Sequence, residues 1–388
     1  MDFRIPDELT ALRESFAAFI EREVRPLEEE LRPELVSPTP DRDRIRDAVS
    51  ATRRASAAAG FYAAYMPEDV GGADLSTLGL TLLVEDAARS GLRFAMSAIA
   101  PPNPAGPTPL LLDLPKHLWD EYVRPVVAAE RSMCFALTEP EAGSDAQNIK
   151  TRARRDGDDW VIDGHKHFIT NADAADFALV FAVTDPAKRA NGGITAFVVP
   201  RDQYTIGEVQ WTMADSHPAQ LFFDGARVPG DHVVGEVGRG FITAMRFLDT
   251  GRAAIGAQCL GLAEYCLDQA IDHARNRTAF GAPIGRNQAV SFSLARCKVD
   301  IEAMRWLTYH LAAAIDDGEH PAADASIVKY HNTERAYEVA DRCLQVFGGT
   351  GLLKDGPIER VLRWLRMYRV VEGASEIQQL VISRFLGL

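Results

Sequence analysis

The spacing of apolar residues changes twice along the chain. In the first 130 residues it is helical, beginning with Leu9, Leu12, Phe16, Phe19, Ile20 and Val24. Short apolar runs separated by turns rich in proline and glycine follow between residues 131 and 236. Beyond residue 237 the helical period returns in long segments. A buried helix face is indicated there by Ala336, Val339, Ala340, Cys343, Leu344 and Phe347.

These changes predict a helical N-terminal domain at 1–130, a middle β-domain at 131–236 and a C-terminal helical bundle at 237–388. The fold class is therefore α+β and mainly α. Strands are predicted at 133–137, 151–155, 160–162, 177–183, 194–199 and 221–223. Asp156–Gly157 predicts a hairpin between the second and third strands. So many short strands favour a compact β-barrel or sandwich for the middle domain.

Proline limits the helices of the N-terminal domain. Helices are predicted at 44–59 and through 78–87, and a further helix at 118–129 is expected to kink or break at Pro125. Six prolines lie between Ala98 and Pro115, so this stretch is predicted to be a loop and not one continuous helix.

Composition narrows the classes of function. A chain of 388 residues that is 47% hydrophobic can bury a large core, and a net charge of −13 disfavours nucleic acid or an anionic membrane as a partner. The five cysteines lack paired spacing, which indicates core residues of a reduced compartment and neither a disulfide framework nor a metal site. The first residues lack the apolar core of a signal peptide, and no apolar run reaches about 18 residues. The expectation is a soluble, cytoplasmic protein.

The stretch from Gln345 to Gln379 leaves one carboxylate in a joint between two helices. One helix is predicted to begin beside Pro357 and to stop near Gly373, and the next to open at Ser375. Ser375 and Gln378 have the S-x-x-Q spacing of a capping box. Glu372 would then be placed by two rigid elements while facing open space. A surface or capping glutamate is the ordinary explanation of the same pattern.

Small residues punctuate the first long helix of the C-terminal domain, at Gly251, Ala253, Ala254, Gly256, Ala257 and Gly261. Without large side chains, one face of this helix can be approached closely by another group. Either a neighbouring helix or a flat ligand would fit against such a face.

Two further stretches carry polar chemistry. ALTEPEAGSD, from Ala136 to Asp145, joins a strand to a turn whose hydroxyls and backbone amides could bind an anion. An ordinary polar turn without a ligand would have the same pattern. In HARNRTAFGAPIGRNQ, from His273 to Gln288, an arginine and a phenylalanine lie in a turn between two helices. Arg277 could pair with phosphate oxygens or simply cap a helix C-terminus.

Taken together, these stretches resemble the acyl-CoA dehydrogenase family. The resemblance covers nearly the whole chain and includes PEDVGGADLS, ALTEPEAGSD, GHKHFITNA, RVP, RTAFGAPIGRNQ, QVFGGTG and VEGASEIQ, in the family's order. It implies helical, β and four-helix-bundle domains with FAD between the last two.

The resemblance also implies a chemical role for Glu372. In many family members the matching glutamate removes the α-proton of an acyl thioester while a hydride leaves the β-carbon for flavin N5, giving a trans-2-enoyl thioester. The α-C–H is a weak acid, so the base must be desolvated and its pKa raised. Some members instead carry the base on the long helix, one residue before an arginine, where this chain has Gly251.

Other matched positions imply the FAD and substrate contacts. Within one subunit the FAD contacts are Phe135, Leu137, Thr138, Gly143, Ser144, Phe168, Thr170, Ala374 and Glu376. Positions that reach FAD across a subunit interface are Arg277, Phe280, Gln288, Gln345, Gly348 and Gly349. The substrate contacts are Ser144, Asp249, Arg252, Val371 and Gly373. The resemblance thus implies a homo-oligomer, a dimer or tetramer, and an electron-transfer flavoprotein as electron acceptor.

Several positions depart from the family pattern. Val371 and Ala374 flank the Glu-Gly pair where tyrosine and threonine are common, and Trp364 replaces a common aspartate. These changes leave the acyl group open, whether straight, branched or aromatic, and on CoA or on a carrier protein. An acyl-CoA oxidase or a flavin monooxygenase on the same scaffold, and a silent acyl-thioester binder, are the alternative functions.

Overall fold

The computed structural model describes residues 4–100 and 105–388, without the side chains of Arg246, Asp249 and Thr250. Its α-helices are α1 Asp7–Phe19, α2 Arg25–Val36, α3 Arg42–Ala58, α4 Thr77–Arg89, α5 Trp119–Tyr122, α6 Arg124–Val127, α7 Gly240–Asn276, α8 Gln288–Asp316, α9 Ala322–Phe347, α10 Glu359–Tyr368 and α11 Ser375–Phe385. Its strands are β1 Met133–Ala136, β2 Arg152–Asp156, β3 Asp159–Ile169, β4 Phe177–Val183, β5 Ile194–Pro200, β6 Thr205–Val209, β7 Ala219–Pro229, β8 Val233–Val234, β9 Thr278–Ala279 and β10 Ala282–Pro283. The predicted order of helices, strands and helices is confirmed.

The chain divides into two compact units. The helical unit contains Met1–Phe61, Leu75–Ile99 and Asp249–Leu388, as far as these ranges are described. The sheet unit contains Tyr62–Asp74 and Ala100–Leu248, with the same restriction.

The helical unit is built around the long helices α7, α8 and α9, and α10 contributes to the same core. Its buried side chains include Leu260, Met304, Val339 and Leu365. The α7–α9 crossing is fixed by buried Asn332, whose amide donates to Gly256 O (3.2 Å) and to Thr308 Oγ1 (2.7 Å). This polar group is satisfied inside the core, so its burial does not carry the cost of an unpaired donor.

Helix α4 joins this core through its N-terminus. The Ser76 hydroxyl accepts from Gly79 N (3.1 Å) in a normal N-cap. The Asp316 carboxylate, at the end of α8, accepts from Thr77 N (2.6 Å) and Leu78 N (2.9 Å). An anion at a helix N-terminus is favourable, so α8 and α4 are held together at this point.

The sheet unit contains an eight-stranded sheet in the order β6-β7-β3-β2-β4-β5-β8, with β1 paired in parallel to β4. The predicted hairpin is present, because β2 and β3 pair antiparallel from Asp156–Asp159 onward. Strands β3 and β7 are longer than predicted, and β6 and β8 were missed. The residues of β6 lack a clear apolar alternation, and β8 has only two residues, so neither gives a strong pattern.

Two predicted boundaries are wrong in detail. The break in the 118–129 helix lies at Val123, and Pro125 lies in the first turn of α6, where its missing N–H costs nothing. Helix α10 begins at Glu359 and ends at Tyr368, several residues before Gly373. A short 3₁₀ turn at Phe94–Ser97 precedes the predicted loop from Ala98 to Pro115, and another lies within it at Pro109–Asp113. Residues 101–104 of this prediction lie outside the described residues.

The small residues of α7 serve helix packing at two positions. A Cβ at Gly261 would overlap the Glu85 carbonyl oxygen of α4 and lie 2.8 Å from Ala88 Cβ. A Cβ at Gly256 would overlap Val328 of α9. Gly251 differs, since a Cβ there would meet Glu372 Oε2 at 3.3 Å. At Gly256 and Gly261 the small residue is therefore explained by close packing of a neighbouring helix and not by the approach of a ligand.

All five cysteines are free and buried, as expected of core residues. Among the described residues, no helix combines the length and the apolar character needed to cross a membrane.

Gly261→Ala is expected to lower the midpoint of thermal unfolding. Alanine is the better helix former, so any loss must come from overlap with α4, at a cost of about 1 to 3 kcal/mol. Gly251→Ala is the matched control, because it lies in the same helix and its nearest obstacle is a side-chain oxygen at 3.3 Å. An unchanged or raised midpoint for Gly261→Ala would contradict the close α4–α7 contact.

Candidate active site

Glu372 lies in a tight reversal between α10 and α11. Val371 N donates to Met367 O (3.2 Å) as α10 ends, and Ser375 N donates to Arg369 O (3.0 Å) across the turn. Glu372 has φ +54° and Gly373 has φ +92°. Two successive left-handed residues suit glycine but cost a glutamate roughly 1 kcal/mol or more. Strain of this kind persists where surrounding contacts fix the backbone.

The predicted capping box is absent. Ala374 occupies the N-cap position and makes no side-chain cap. The Ser375 hydroxyl donates to Glu334 Oε1 of α9 (2.6 Å), and Gln378 Nε2 donates to Gly373 O (2.9 Å). The two side chains with capping-box spacing therefore bind the turn and α9 instead of the first amides of α11.

Helix α9 contacts the turn from one side and α7 from another. Lys329 Nζ donates to Gly373 O (2.7 Å), and Arg369 Nε donates to Glu334 Oε1 (2.8 Å). On α7, Arg252 is buried and Gly251 leaves space beside the Glu372 carboxylate. The carboxylate thus faces α7 while its backbone is attached to α9.

Burial controls the electrostatics of this carboxylate. Although the residue keeps part of its surface exposed, desolvation raises the pKa of Glu372 to about 7, and the charges of Lys329 and Arg252 act against that rise. Desolvation likewise lowers the pKa of Lys329 to about 8. A carboxylate with a pKa near 7 can take up a proton and release it at neutral pH.

In the sheet unit, the loop after β1 is fastened to β3. Lys166 Nζ, which is completely buried, donates to Leu137 O (3.0 Å) and to Glu139 Oε1 (2.7 Å). The Glu139 carboxylate also accepts from Lys150 N (2.5 Å) and Thr151 N (3.0 Å). Desolvation lowers the pKa of Lys166 to about 8, while Lys166 and the other donors hold the pKa of Glu139 below its usual value. Sequence reasoning missed this pair, although both residues lie in quoted motifs.

The attachment brings several predicted flavin contacts to one place. His167 N donates to Thr138 O (2.9 Å), so the end of β1 lies beside β3. Phe168 and Thr170 are exposed on either side of buried Ile169. Phe168 has φ +55°, a strained conformation for an aromatic residue. Phe135 and Leu137 lie on and just after β1, and the neighbouring turn exposes Gly143 and Ser144.

These residues fit the chemistry of a flavin. An exposed aromatic ring offers a stacking face, and the hydroxyls of Thr138, Ser144 and Thr170 offer hydrogen bonds to ring heteroatoms or phosphate. A Cβ at Gly143 would meet nothing within 4 Å, so the turn is open to a ligand.

The residues predicted to reach a second subunit gather at one end of the helical unit. The His273 and Phe347 rings stack with centroids 4.3 Å apart, which joins the last turns of α7 and α9. The members of this set share exposure to solvent: Arg277, Phe280, Gln288, Gln345, Gly348 and Gly349. Phe280 is fully exposed at the tip of the β9–β10 hairpin with φ +53°. An exposed, strained aromatic residue contributes nothing to its own core.

The remaining predicted residues are more scattered. Ala374 and Glu376 lie at the start of α11, with Glu376 exposed. Val371 packs against the helical core. The side chain of Asp249 lies outside the described part of the structure.

Family models match the chain in three consecutive parts. They describe the N-terminal (residues 6–130), middle (134–225) and C-terminal (238–387) domains of acyl-CoA dehydrogenases. These matches define a flavin-dependent oxidoreductase. The chain belongs to the acyl-CoA dehydrogenase family, whose members dehydrogenate acyl-CoA.

Individual relatives match over nearly the full length. A probable acyl-CoA dehydrogenase, fadE25, of Mycobacterium leprae is 37% identical over 99% of this chain and 96% of its own. A 3-(aryl)acrylate reductase of Clostridium sporogenes is 34% identical over 94% of each chain. The structure of butyryl-CoA dehydrogenase from Megasphaera elsdenii has a TM-score of 0.87 at 31% identity and covers 100% of both chains.

The Glu372 carboxyl group is expected to titrate with a midpoint near pH 7. Infrared difference spectroscopy of protein labelled with ¹³C-glutamate measures this directly, with the band assigned by its loss in Glu372→Gln. Because the folded pKa is raised above the ordinary 4.5, the stability from this group is complete below pH 4.5 and is lost as pH rises through 7. A midpoint near 4.5 would show that the carboxyl group is not desolvated.

Proposed function

We propose that the chain catalyses FAD-dependent α,β-dehydrogenation of an acyl-CoA or a related acyl thioester, with Glu372 as the base. The observation that carries the proposal is the placement of the Glu372 carboxylate in a strained turn beside Gly251 and Arg252, where burial raises its pKa to about 7. A base of this pKa has a large ionised fraction at neutral pH and still has a strong affinity for a proton.

Each residue near Glu372 has a defined task in this proposal. The ionised Glu372 carboxylate takes the α-proton and becomes the neutral acid that its surroundings favour. The backbone N–H of Glu372 is a donor for the thioester oxygen as negative charge develops there. The positive charge of Arg252 opposes the rise in the Glu372 pKa that desolvation causes, so part of the carboxylate remains ionised at neutral pH. FAD, when bound, would supply the oxidant for removal of the β-hydrogen as hydride.

FAD is proposed to lie against Phe135, Leu137, Thr138, Gly143, Ser144, Phe168, Thr170, Ala374 and Glu376. Support comes from the exposed hydroxyls and the strained, exposed Phe168 at the end of β3. An electron-transfer flavoprotein is the proposed electron acceptor, on the strength of the family resemblance. The proposed domain limits are 1–130, 131–236 and 237–388.

The acyl group is proposed to contact Ser144, Asp249, Arg252, Val371 and Gly373. The names of the relatives include both a butyryl-CoA dehydrogenase and an aryl acrylate reductase, so they support no single acyl chain. The family pattern commonly has an aromatic residue where this chain has Val371, and the smaller side chain is proposed to leave more room for the acyl group.

Self-association is proposed through α8. Phe292, Val299 and Trp306 recur every seven residues, so they lie along one face of the helix, and their exposed fractions are 58%, 69% and 47%. A second copy of the chain would cover this apolar stripe. The exposed set around Phe280 is proposed to complete the FAD site of a neighbouring subunit in the same oligomer.

An acyl-CoA oxidase on the same scaffold is the second candidate. It shares the base and the flavin and differs in the oxidant that reoxidises the flavin. Comparing reoxidation of the reduced protein by oxygen and by an electron-transfer flavoprotein separates the two. Fast turnover with oxygen alone would favour the oxidase.

Glu372→Gln is expected to retain FAD and to lose substrate-dependent bleaching of the flavin. The amide cannot accept the α-proton, so flavin reduction by a responsive acyl-CoA should slow by about 10²- to 10⁴-fold. Stopped-flow absorbance under anaerobic conditions measures this rate. Exposed Glu319→Gln is the control and should reduce at the normal rate. Normal bleaching in Glu372→Gln would show that another group is the base.

Val299→Glu and Trp306→Glu are expected to reduce the size of the oligomer. Each places a charge on the proposed apolar interface, where it would have to be desolvated. Sedimentation velocity measures the change, and absorbance at the flavin band reports FAD lost with it. Val36→Glu adds the same charge at another exposed apolar position and should leave the oligomer intact. An unchanged sedimentation coefficient in both α8 variants would locate the interface elsewhere.

A further inference from the structure

Lys329 is a buried cation whose close partner is not a carboxylate. The side chain has no exposed surface, and its ammonium group donates to Gly373 O at 2.7 Å. Burial of a charge in a helical core is costly unless the site compensates for it. The neighbouring carboxylate of Glu334 is already engaged by Arg369 and Ser375. A lysine kept here at such a cost calls for an explanation beyond packing.

The contact made by Lys329 falls on the turn that carries Glu372. Gly373 O receives two donors, Lys329 Nζ from α9 and Gln378 Nε2 from α11 (2.9 Å). These donors fix the peptide group that follows the two left-handed residues. A second attachment, from Glu334 to Arg369 and Ser375, lies on the same helix at the start and end of the turn. Helix α9 therefore holds both sides of the turn.

The charge of Lys329 acts on the same carboxylate. The charged groups that face Glu372 from the packed helices are Lys329 of α9 and Arg252 of α7, and both favour ionisation of Glu372 against desolvation. Two other groups nearby are neutral at pH 7. Burial raises the pKa of the Tyr368 hydroxyl on α10 well above its usual value, and it raises that of the Cys259 thiol on α7 to about 12.

We propose that Lys329 is the positioning residue of Glu372: it holds the Gly373 carbonyl so that the left-handed turn keeps its shape, and its charge sets the proportion of ionised Glu372. The consequence for catalysis rests on the proposed function. The electrostatic coupling between Lys329 and Glu372 does not depend on the proposed function, and it can be measured without substrate.

The first test is an infrared titration of the FAD-loaded, ¹³C-glutamate-labelled protein. In Lys329→Gln and Lys329→Met the Glu372 midpoint should rise by about one pH unit, because an opposing charge has been removed. Lys329→Arg keeps the charge and should stay close to the unmodified protein. Arg342→Gln removes a cation from the same helix that pairs with Asp300 of α8, and should leave the midpoint in place.

Amide hydrogen exchange tests the hold on the turn. Peptides covering residues 369–376 should exchange faster in Lys329→Met, and the Arg342→Gln control should not change them. An unmoved Glu372 midpoint together with unchanged exchange in folded Lys329→Met would overturn the proposal.

A reciprocal measurement avoids changing Lys329 at all. If the two charges are coupled, removing the Glu372 charge must lower the pKa of Lys329 by the same coupling energy. Lysine labelled with ¹³C at the ε-carbon reports this pKa by NMR in the unmodified protein and in Glu372→Gln. An identical Lys329 pKa in both would also contradict the proposal. Should Glu372→Gln still bleach with substrate, the base assignment fails while these titrations still decide the role of Lys329.

Discussion

The site in the helical unit depends on keeping water away from one carboxylate. Desolvation alone would keep Glu372 neutral, and a neutral acid cannot take a proton. Two cations on different helices, Arg252 and Lys329, counter that effect and bring the pKa to about 7. Packing of α7, α9 and α10 around the turn therefore gives the Glu372 carboxylate a pKa at which it can accept a proton at neutral pH. Close packing also explains Gly256 and Gly261 of α7, where side chains would overlap α9 and α4.

Among the residues that the structure describes, two lysines are fully buried, one in each unit, and they have similar roles. Lys166 donates to Leu137 O, next to Thr138, and Lys329 donates to Gly373 O, next to Glu372. In both cases burial lowers the pKa to about 8, so each lysine remains largely protonated at neutral pH. Lys166 has a carboxylate in contact, while Lys329 has a backbone carbonyl. The difference leaves the charge of Lys329 free to act on the proposed base.

Much of this architecture could be predicted from the sequence because long amphipathic helices give strong periodic signals. The end of α9 at Phe347 and the start of α11 at Ser375 follow from glycines at the helix ends. Short local signals were less dependable. Ser375 and Gln378 have capping-box spacing, but Glu334 and Gly373 O offer stronger partners that only the tertiary fold supplies. Lys329 did carry a signal, since it lies on the buried face of α9 with Ala325 and Ala336.

Gly251 explains why the proposed base occupies position 372 and not position 251 in this chain. In the alternative arrangement described in the sequence analysis, the base would lie on α7, immediately before Arg252. A Cβ at Gly251 would already lie 3.3 Å from Glu372 Oε2, so a longer side chain would need the space that the Glu372 carboxylate fills. A carboxylate at 251 would also bring a like charge into contact with Glu372 and would raise the pKa values of both groups. The two arrangements thus exclude each other on steric and electrostatic grounds, and glycine at 251 is the condition under which Glu372 could act as the proposed base.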